Sequence, residues 1–175
     1  MQKIELISKR LTLEPFKPQY VTEDYLDWIT DEELTRYIQK GSPNLTLQDL
    51  RIFIEELDQS KNDIFYRIIY RENNLHIGNI RLGPIDFDNS TTSFGILVGR
   101  REYHKQGLAE EAINLIKAFA FDKLKLKQFQ FECIADNFGA MSLYKKMGFK
   151  KKEFSQKFKK DGITYDQVLW YEENP

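Results

Sequence analysis

The chain has 175 residues, 41% of them hydrophobic and 30% charged, with a formal net charge of −1. This length fits a single domain that buries its core without metal or disulfide staples. The near-neutral charge argues against non-specific nucleic-acid binding, and the single cysteine, Cys133, excludes an intrachain disulfide framework.

In chain order, "RLTLEPF" (10–16) alternates Leu11 and Leu13 with polar partners and reads as a first strand. "TEDYLDWITDEELTRYI" (22–38) and "TLQDLRIFIEELDQ" (46–59) read as helices. Asp31 is a candidate cap inside the first, and Thr46 with Asp49 forms a cap at the start of the second. The period then changes. "IFYRIIY" (64–70), "HIGNIRLGPID" (76–86) and "SFGILVG" (93–99) read as strands joined by turns at 72–74 and 86–92, which makes an antiparallel meander. A helix is expected over 108–124, with Leu115, Phe119 and Phe121 on its core side. A strand follows in "QFQFECIA" (128–135), with Cys133 a buried thiol. "NFGAMSLYKKM" (137–147) is a short helix stopped by Gly148, and a last hairpin turns at Asp161-Gly162. The order predicts an α+β fold: a mixed, mostly antiparallel central sheet flanked by helices, with one strand–helix–strand unit near the middle.

No apolar run reaches the ~18 residues of a membrane span. The opening "MQKIELISKR" lacks the apolar core of a secretory signal. Neither His76 nor His104 has a second ligand at metal-binding spacing. A cytoplasmic protein without metal or membrane association, monomeric or homodimeric, is the expectation.

Two stretches carry chemistry. In "EYHKQGLAEEAINLIKAF" (102–119) a polar loop with one glycine opens an apolar helix. A helix N-terminus offers unpaired N–H groups and partial positive charge, and Gly107 lets a ligand approach the main chain. Arg100, Arg101 and Lys105 add charge upstream, so the loop suits a pyrophosphate or is a plain strand-to-helix turn. Glu110 and Glu111 fit a helix's first turn either way. The second stretch is "ADNFGAMSLYKKMGF" (135–149), with Asn137, Ser142, Tyr144 and Gly148-Phe149.

Together these stretches resemble the motifs of the GNAT N-acetyltransferase superfamily. His104-Lys105-Gln106-Gly107-Leu108-Ala109 resembles its Q/R-x-x-G-x-G/A loop, and Asn137 to Phe149 its N-x-x-S/A-x-x-x-Y-x-x-x-GF pattern. The opening "SKRLTLEPF" and the closing hairpin resemble the RimJ/RimL-type, ribosomal-protein acetyltransferase-like branch, so the resemblance spans nearly the whole chain. His104 stands where the pattern has Gln or Arg, which puts a side-chain role there in doubt but leaves a backbone cradle intact.

The resemblance implies an acetyl-CoA-dependent N-acetyltransferase. Residues 104–109 would cradle the pyrophosphate. The backbone of Ile96, Leu97 and Val98 would pair with the pantetheine arm and polarise the thioester carbonyl. Asn137 would meet the pantetheine amide or cap its helix, and Ser142 would touch CoA or be a plain helix serine. Tyr144 is the implied acid for the CoA thiolate, against packing on the sheet as its other role. Glu132, on a strand expected to be partly buried, is the implied base with a raised pKa, against a surface carboxylate; ordered water or Asp86 are alternatives. Trp28, Tyr25 and Tyr37 border the implied acceptor region or are core. "KKK" (150–152) and "KFKK" (157–160) are solvated hairpin faces, or contacts to the 3′-phosphate or an anionic acceptor. The acceptor is a primary amine: an amino sugar, a polyamine, an antibiotic or a protein N-terminus. A non-catalytic acyl-CoA-binding module is the rival reading, and Tyr144 argues against it.

Overall fold

Among the described residues eight strands build one sheet whose two faces carry different cores. The computed structural model describes residues 2–38, 44–160 and 162–174, apart from the side chains of 153–156. Its elements are β1 (Leu6–Ile7), β2 (Leu11–Pro15), α1 (Glu23–Thr30), α2 (Glu32–Thr35), α3 (Leu47–Gln59), β3 (Ile64–Tyr70), β4 (Leu75–Asp86) and β5 (Thr91–Val98), then α4 (Leu108–Ala118), β6 (Gln128–Ile134), α5 (Phe138–Lys146), β7 (Lys150–Lys160) and β8 (Ile163–Glu173). The strands lie in the order β1-β2-β3-β4-β5-β6-β8-β7. The meander β3–β4–β5 is antiparallel as the short turns require, and β5–α4–β6 is the strand–helix–strand unit, with its two strands parallel.

That parallel pair positions the site. β5 and β6 are in register only at Thr91↔Gln128 and Thr92↔Phe129, and beyond those residues they part. From Ser93 to Val98 the β6-facing edge of β5 has no strand partner, and neither does the β5-facing edge of β6. The split opens toward the C-terminal ends of both strands, where α4 and α5 begin.

One face of the sheet packs Tyr66, Ile80, Phe94, Phe129 and Phe131 against Leu108, Ala112, Ile113 and Ile116 of α4 and Tyr144 of α5. The opposite face holds a smaller cluster of Phe16, Tyr25, Trp28, Leu50 and Ile54 with Phe65 and Leu97 beneath α1 and α3. No residue of β6, β7 or β8 joins that second cluster among the described residues.

The caps behave as expected. Thr46 and Asp49 form a reciprocal capping box on α3. Asp31 caps α2, accepting from the N–H groups of Glu33 and Leu34 at 2.9 and 3.0 Å. Gly148 is left-handed at φ +85° just past α5. Cys133, Phe119 and Phe121 are buried, and Leu115 packs against the core.

Several expectations change. The stretch 22–38 is two helices, because Asp31 takes an extended conformation and restarts the chain. The helix expected over 108–124 is α-helical only to Ala118 and then widens into a π-turn, Phe119–Lys123. β1 was not foreseen; two residues are too few for a period to show. β5 begins two residues earlier than expected, at Thr91. The expected turn residue Asp161 lies outside the described residues, and its neighbour Gly162 is left-handed at φ +79°. No helix among the described residues is long and apolar enough to cross a membrane.

Candidate active site

The loop from β5 to α4 is built by local hydrogen bonds. Arg101–Tyr103 is a single 3₁₀ turn, and His104 N–H donates to Arg101 O at 3.0 Å. His104 Nε2 lies 2.8 Å from Val98 O and, facing a carbonyl, is the donor; the ring ties the loop back to the end of β5. Gln106 Nε2 donates to Glu102 O at 2.6 Å, while Gln106 O accepts from Arg10 Nη1 at 2.9 Å. His104 and Gln106 therefore shape the turn, and the imidazole does this where the family pattern has Gln or Arg.

Gly107 is the N-cap of α4 in the left-handed region, φ +75°, which disfavours any residue with a Cβ. Space is not the constraint, since the nearest atom to a Cβ there would be Arg10 Nη2 at 3.7 Å. No side chain caps α4, and the first-turn N–H groups of Leu108, Ala109 and Glu110 have no protein partner among the described residues. An exposed glycine, free N–H groups and a helix dipole fit a pyrophosphate. Glu111 does not compete, because its carboxylate is taken by Ser8 Oγ at 2.7 Å and by Arg10 N and Nε at 2.9 and 2.6 Å. Those bonds hold its carboxyl below the usual range although partial burial opposes them. Glu110 pairs with Lys146 at 2.5 Å, joining α4 to α5. A groove of about 410 Å³ runs beside Gly107, Glu110 and Asn114. A larger hollow of about 630 Å³, lined by Phe87, Phe119 and Lys123, contains none of the expected site residues.

One part of the expected charge is absent from the loop. Arg100 is paired with Asp24 and donates from Nε to His76 O at 3.0 Å. Arg101 is held by Asp31 and Glu33, both at 2.9 Å. Both guanidinium groups face the acidic helices α1 and α2, whereas Lys105 makes no ion pair among the described residues.

Ile96 packs toward the larger cluster and Leu97 toward the smaller, so these neighbours on the unpaired edge of β5 address opposite faces. Tyr144 belongs to the first face. Its ring packs on Phe131, Phe94 and Trp170 with centroids at 4.8, 5.8 and 6.0 Å, and its hydroxyl makes no hydrogen bond to the described protein. Burial, with a smaller contribution from Cys133, pushes the phenol well above its ordinary range, so it keeps its proton. Burial likewise lifts the Cys133 thiol to about 11, leaving it protonated. Asn137 caps α5, its Oδ1 accepting from Ala140 N at 3.2 Å. Ser142 is exposed.

Glu132 alternates with the buried Phe131 and Cys133, so it lies on the opposite face from Tyr144. It is exposed, not partly buried as expected. In register with the Thr91↔Gln128 pair it stands level with Gly95 across the split, where a Cβ would have open space around it. Asp86 is excluded from this site: it binds Asn89 in its own turn and pairs with Thr91, at the far end of β5 from Val98. Tyr25 and Trp28 are core, buried to 2% and 7% exposure. Lys150, Lys151 and Lys152 are solvated as expected, but Lys160 reaches back to α2.

The model of the acetyltransferase (GNAT) domain matches residues 10–150, and the chain belongs to that family. It is an acetyl-CoA-dependent N-acetyltransferase, and the cradle and split just described fit that cosubstrate. It is 27% identical over 173 residues to the N-acetyltransferase 9-like protein of Caenorhabditis elegans, covering 89% of this chain and 83% of that one. It is 28% identical over 171 residues to the α/β-tubulin-N-acetyltransferase 9 of Mus musculus, covering 90% and 68%. The fold matches the spermidine N-acetyltransferase of Vibrio cholerae, solved with CoA and spermine, at TM-score 0.84 and 18% identity over 95% of this chain and 97% of that one.

Proposed function

We propose that this chain moves the acetyl group directly to a primary amine in a ternary complex formed in the β5–β6 split, and that the amine approaches from the Glu132 face. The observation that carries this is the split itself, with a buried, proton-holding Tyr144 on one face and an exposed carboxylate, Glu132, on the other. When bound, acetyl-CoA supplies the activated carbonyl. The backbone of Ile96, Leu97 and Val98 would hold the pantetheine arm and polarise the thioester carbonyl, with the Val98 carbonyl already bonded to His104. Lys105, Gln106, Gly107, Leu108 and Ala109 would hold the pyrophosphate, with Ser142 and Asn137 alongside. Tyr144 would donate a proton to the departing sulfur. Glu132 would take the amine proton, directly or through water, since an ammonium has no lone pair to attack with.

The acceptor belongs to the small primary amines, such as an amino sugar or polyamine, or to protein N-termini. The name of the mouse relative supports a protein acceptor, and the spermine complex of the V. cholerae enzyme supports a polyamine. The opening strand and closing hairpin support the RimJ/RimL-type branch.

Two measurements test this. Acetyl-CoA should raise Tm, because a ligand that binds only the folded state stabilises it. Gly107→Glu should abolish the shift by setting a carboxylate where the pyrophosphate lies; a folded variant with normal acetyl-CoA binding refutes the loop assignment. CoA release over a panel of spermidine, glucosamine and N-terminal peptides should single out one class. Release with none of them refutes the acceptor class.

A further inference from the structure

Beyond the split, the second face of the sheet continues across β6, β8 and β7, and register fixes what stands in line there. Glu132 of β6 pairs with Leu169 of β8, and Leu169 pairs in turn with Lys152 of β7. Directly paired residues share a face, so these side chains form one row leading away from the split. Glu132 and Lys152 are exposed, and Leu169 is half-buried between them. Glu132 and Lys152 make no ion pair among the described residues. Their backbones are two strand spacings apart, roughly 10 Å.

The charges around this row are already committed. Lys150, one row over, pairs with Glu173 at 3.5 Å and lies 5.7 Å from the centre of the Tyr171 ring. On the α1–α2 side of the split, Asp24 is taken by Arg100, and Asp31 and Glu33 by Arg101. Lys152 is the uncommitted cation in line with Glu132.

We propose that this row reads the acceptor, with Lys152 as a specificity-determining residue, and that the acceptor is a peptide N-terminus with Asp or Glu at its second or third position. A track that runs carboxylate, apolar, ammonium fits a molecule that runs ammonium, apolar, carboxylate. The amine enters the split beside Glu132, the chain crosses Leu169, and the acidic side chain meets Lys152. Extended peptide advances ~3.3–3.6 Å per residue, so two or three residues cover the distance. A polyamine is long enough but brings a further ammonium to Lys152, and an uncharged amino sugar offers it no partner. The inference rests on the reading that the amine approaches from the Glu132 face.

CoA release by the full chain at saturating acetyl-CoA tests it. The acceptors are C-terminally amidated peptides Ala-Leu-X-Ser-Gly and Ala-X-Leu-Ser-Gly, with X as Glu, Gln or Arg, together with spermidine and a hexosamine phosphate. At the better position of X, kcat/KM should fall in the order Glu, Gln, Arg. Glu should exceed Arg by about tenfold, as an exposed attraction exchanged for a repulsion allows. Lys152→Glu should reverse the order, and Lys152→Gln should flatten it. Lys151 pairs with Trp170 and so faces the other way; Lys151→Glu makes the same change of charge there and should leave the order as it is. An order that survives Lys152→Glu, or that Lys151→Glu also reverses, overturns the role of Lys152. Faster turnover of spermidine or the hexosamine phosphate than of every peptide overturns the peptide class. If the peptides react without regard to X, this inference falls alone. If none of the amines releases CoA, the ternary-complex reading falls and this inference with it.

Discussion

On one face of the sheet the split between β5 and β6 is roofed by aromatic rings: Phe94 and Phe131 meet across it at 4.4 Å, and Tyr144 lies over both. On the other face, Gly95 has no side chain and Glu132 is exposed, while the neighbouring cluster under α1 and α3 encloses polar groups, His76 and Asn79 among them. The first face is dry and holds a proton on the phenol. The second is wet where the split opens and carries an exposed carboxylate there. A transfer that must deliver a proton to sulfur and take another from nitrogen needs such a pair of environments, and the sheet keeps them apart by the alternation of a single strand.

The largest effect should come from the dry face. Tyr144→Phe keeps the ring packing and removes the proton, so kcat should fall ~10²–10⁴-fold with acetyl-CoA affinity little changed. Single-turnover kinetics separates this from slow product release; an unchanged chemical step would leave Tyr144 a packing residue.

The enclosed part of the second face should show itself in stability. His76 lies between Phe16 and Trp28, and its Nε2 is 2.9 Å from Gly78 O and 3.0 Å from Asn79 Oδ1, so the neutral ring donates there. Burial, opposed by the Asn79 bond, pulls its pKa down from 6.5 to about 4. Above pH 6.5 the ring is neutral whether folded or not. As the pH falls from 6.5 toward 4 the unfolded chain gains a proton that the folded one refuses, and stability should drop by ~3 kcal/mol. Denaturant unfolding between pH 7 and 4.5 checks this against His76→Gln, whose curve should be flatter in that window. Parallel curves would mean the ring titrates alike in both states.

The open part of the second face should respond less. Glu132→Gln keeps shape and removes basicity. Water replaces an exposed base in part, so kcat/KM should fall about tenfold, below the usual range for general-base loss. The acidic limb of the pH profile should flatten, and an unaltered profile would assign deprotonation to water alone.

How far the sequence reaches follows the same division. The 104–109 loop, the Asn137 and Asp31 caps and the Gly148 stop were legible because each is written in adjacent residues. The carboxylate in β6 was legible as an oddity, but its exposure was not: alternation tells which residues share a face, not which helix covers it. The partners of Arg100 and Arg101 were illegible because they lie 76 and 70 residues away. Lys160 was read as solvated for the same reason, its acceptors on α2 being 125 and 122 residues back along the chain.

The smallest effect concerns the residue where the two faces meet. Asn137 follows β6 at the open end of the split and caps α5 through Oδ1, leaving its Nδ2 group free of protein partners among the described residues. Asn137→Ala removes the cap and should cost ~1 kcal/mol of stability. Asn137→Asp keeps an oxygen for Ala140 N–H, so that cost should largely vanish while the amide donor is lost. If Nδ2 also meets the pantetheine arm, the Asp variant should match the wild type in Tm yet bind acetyl-CoA several-fold more weakly, as the loss of one hydrogen bond of ~1 kcal/mol requires. Calorimetry on the two variants therefore separates the roles. Weakened binding in Ala alone, tracking its lost stability, would make Asn137 a cap and nothing more, and would leave the pantetheine arm to the edge of β5.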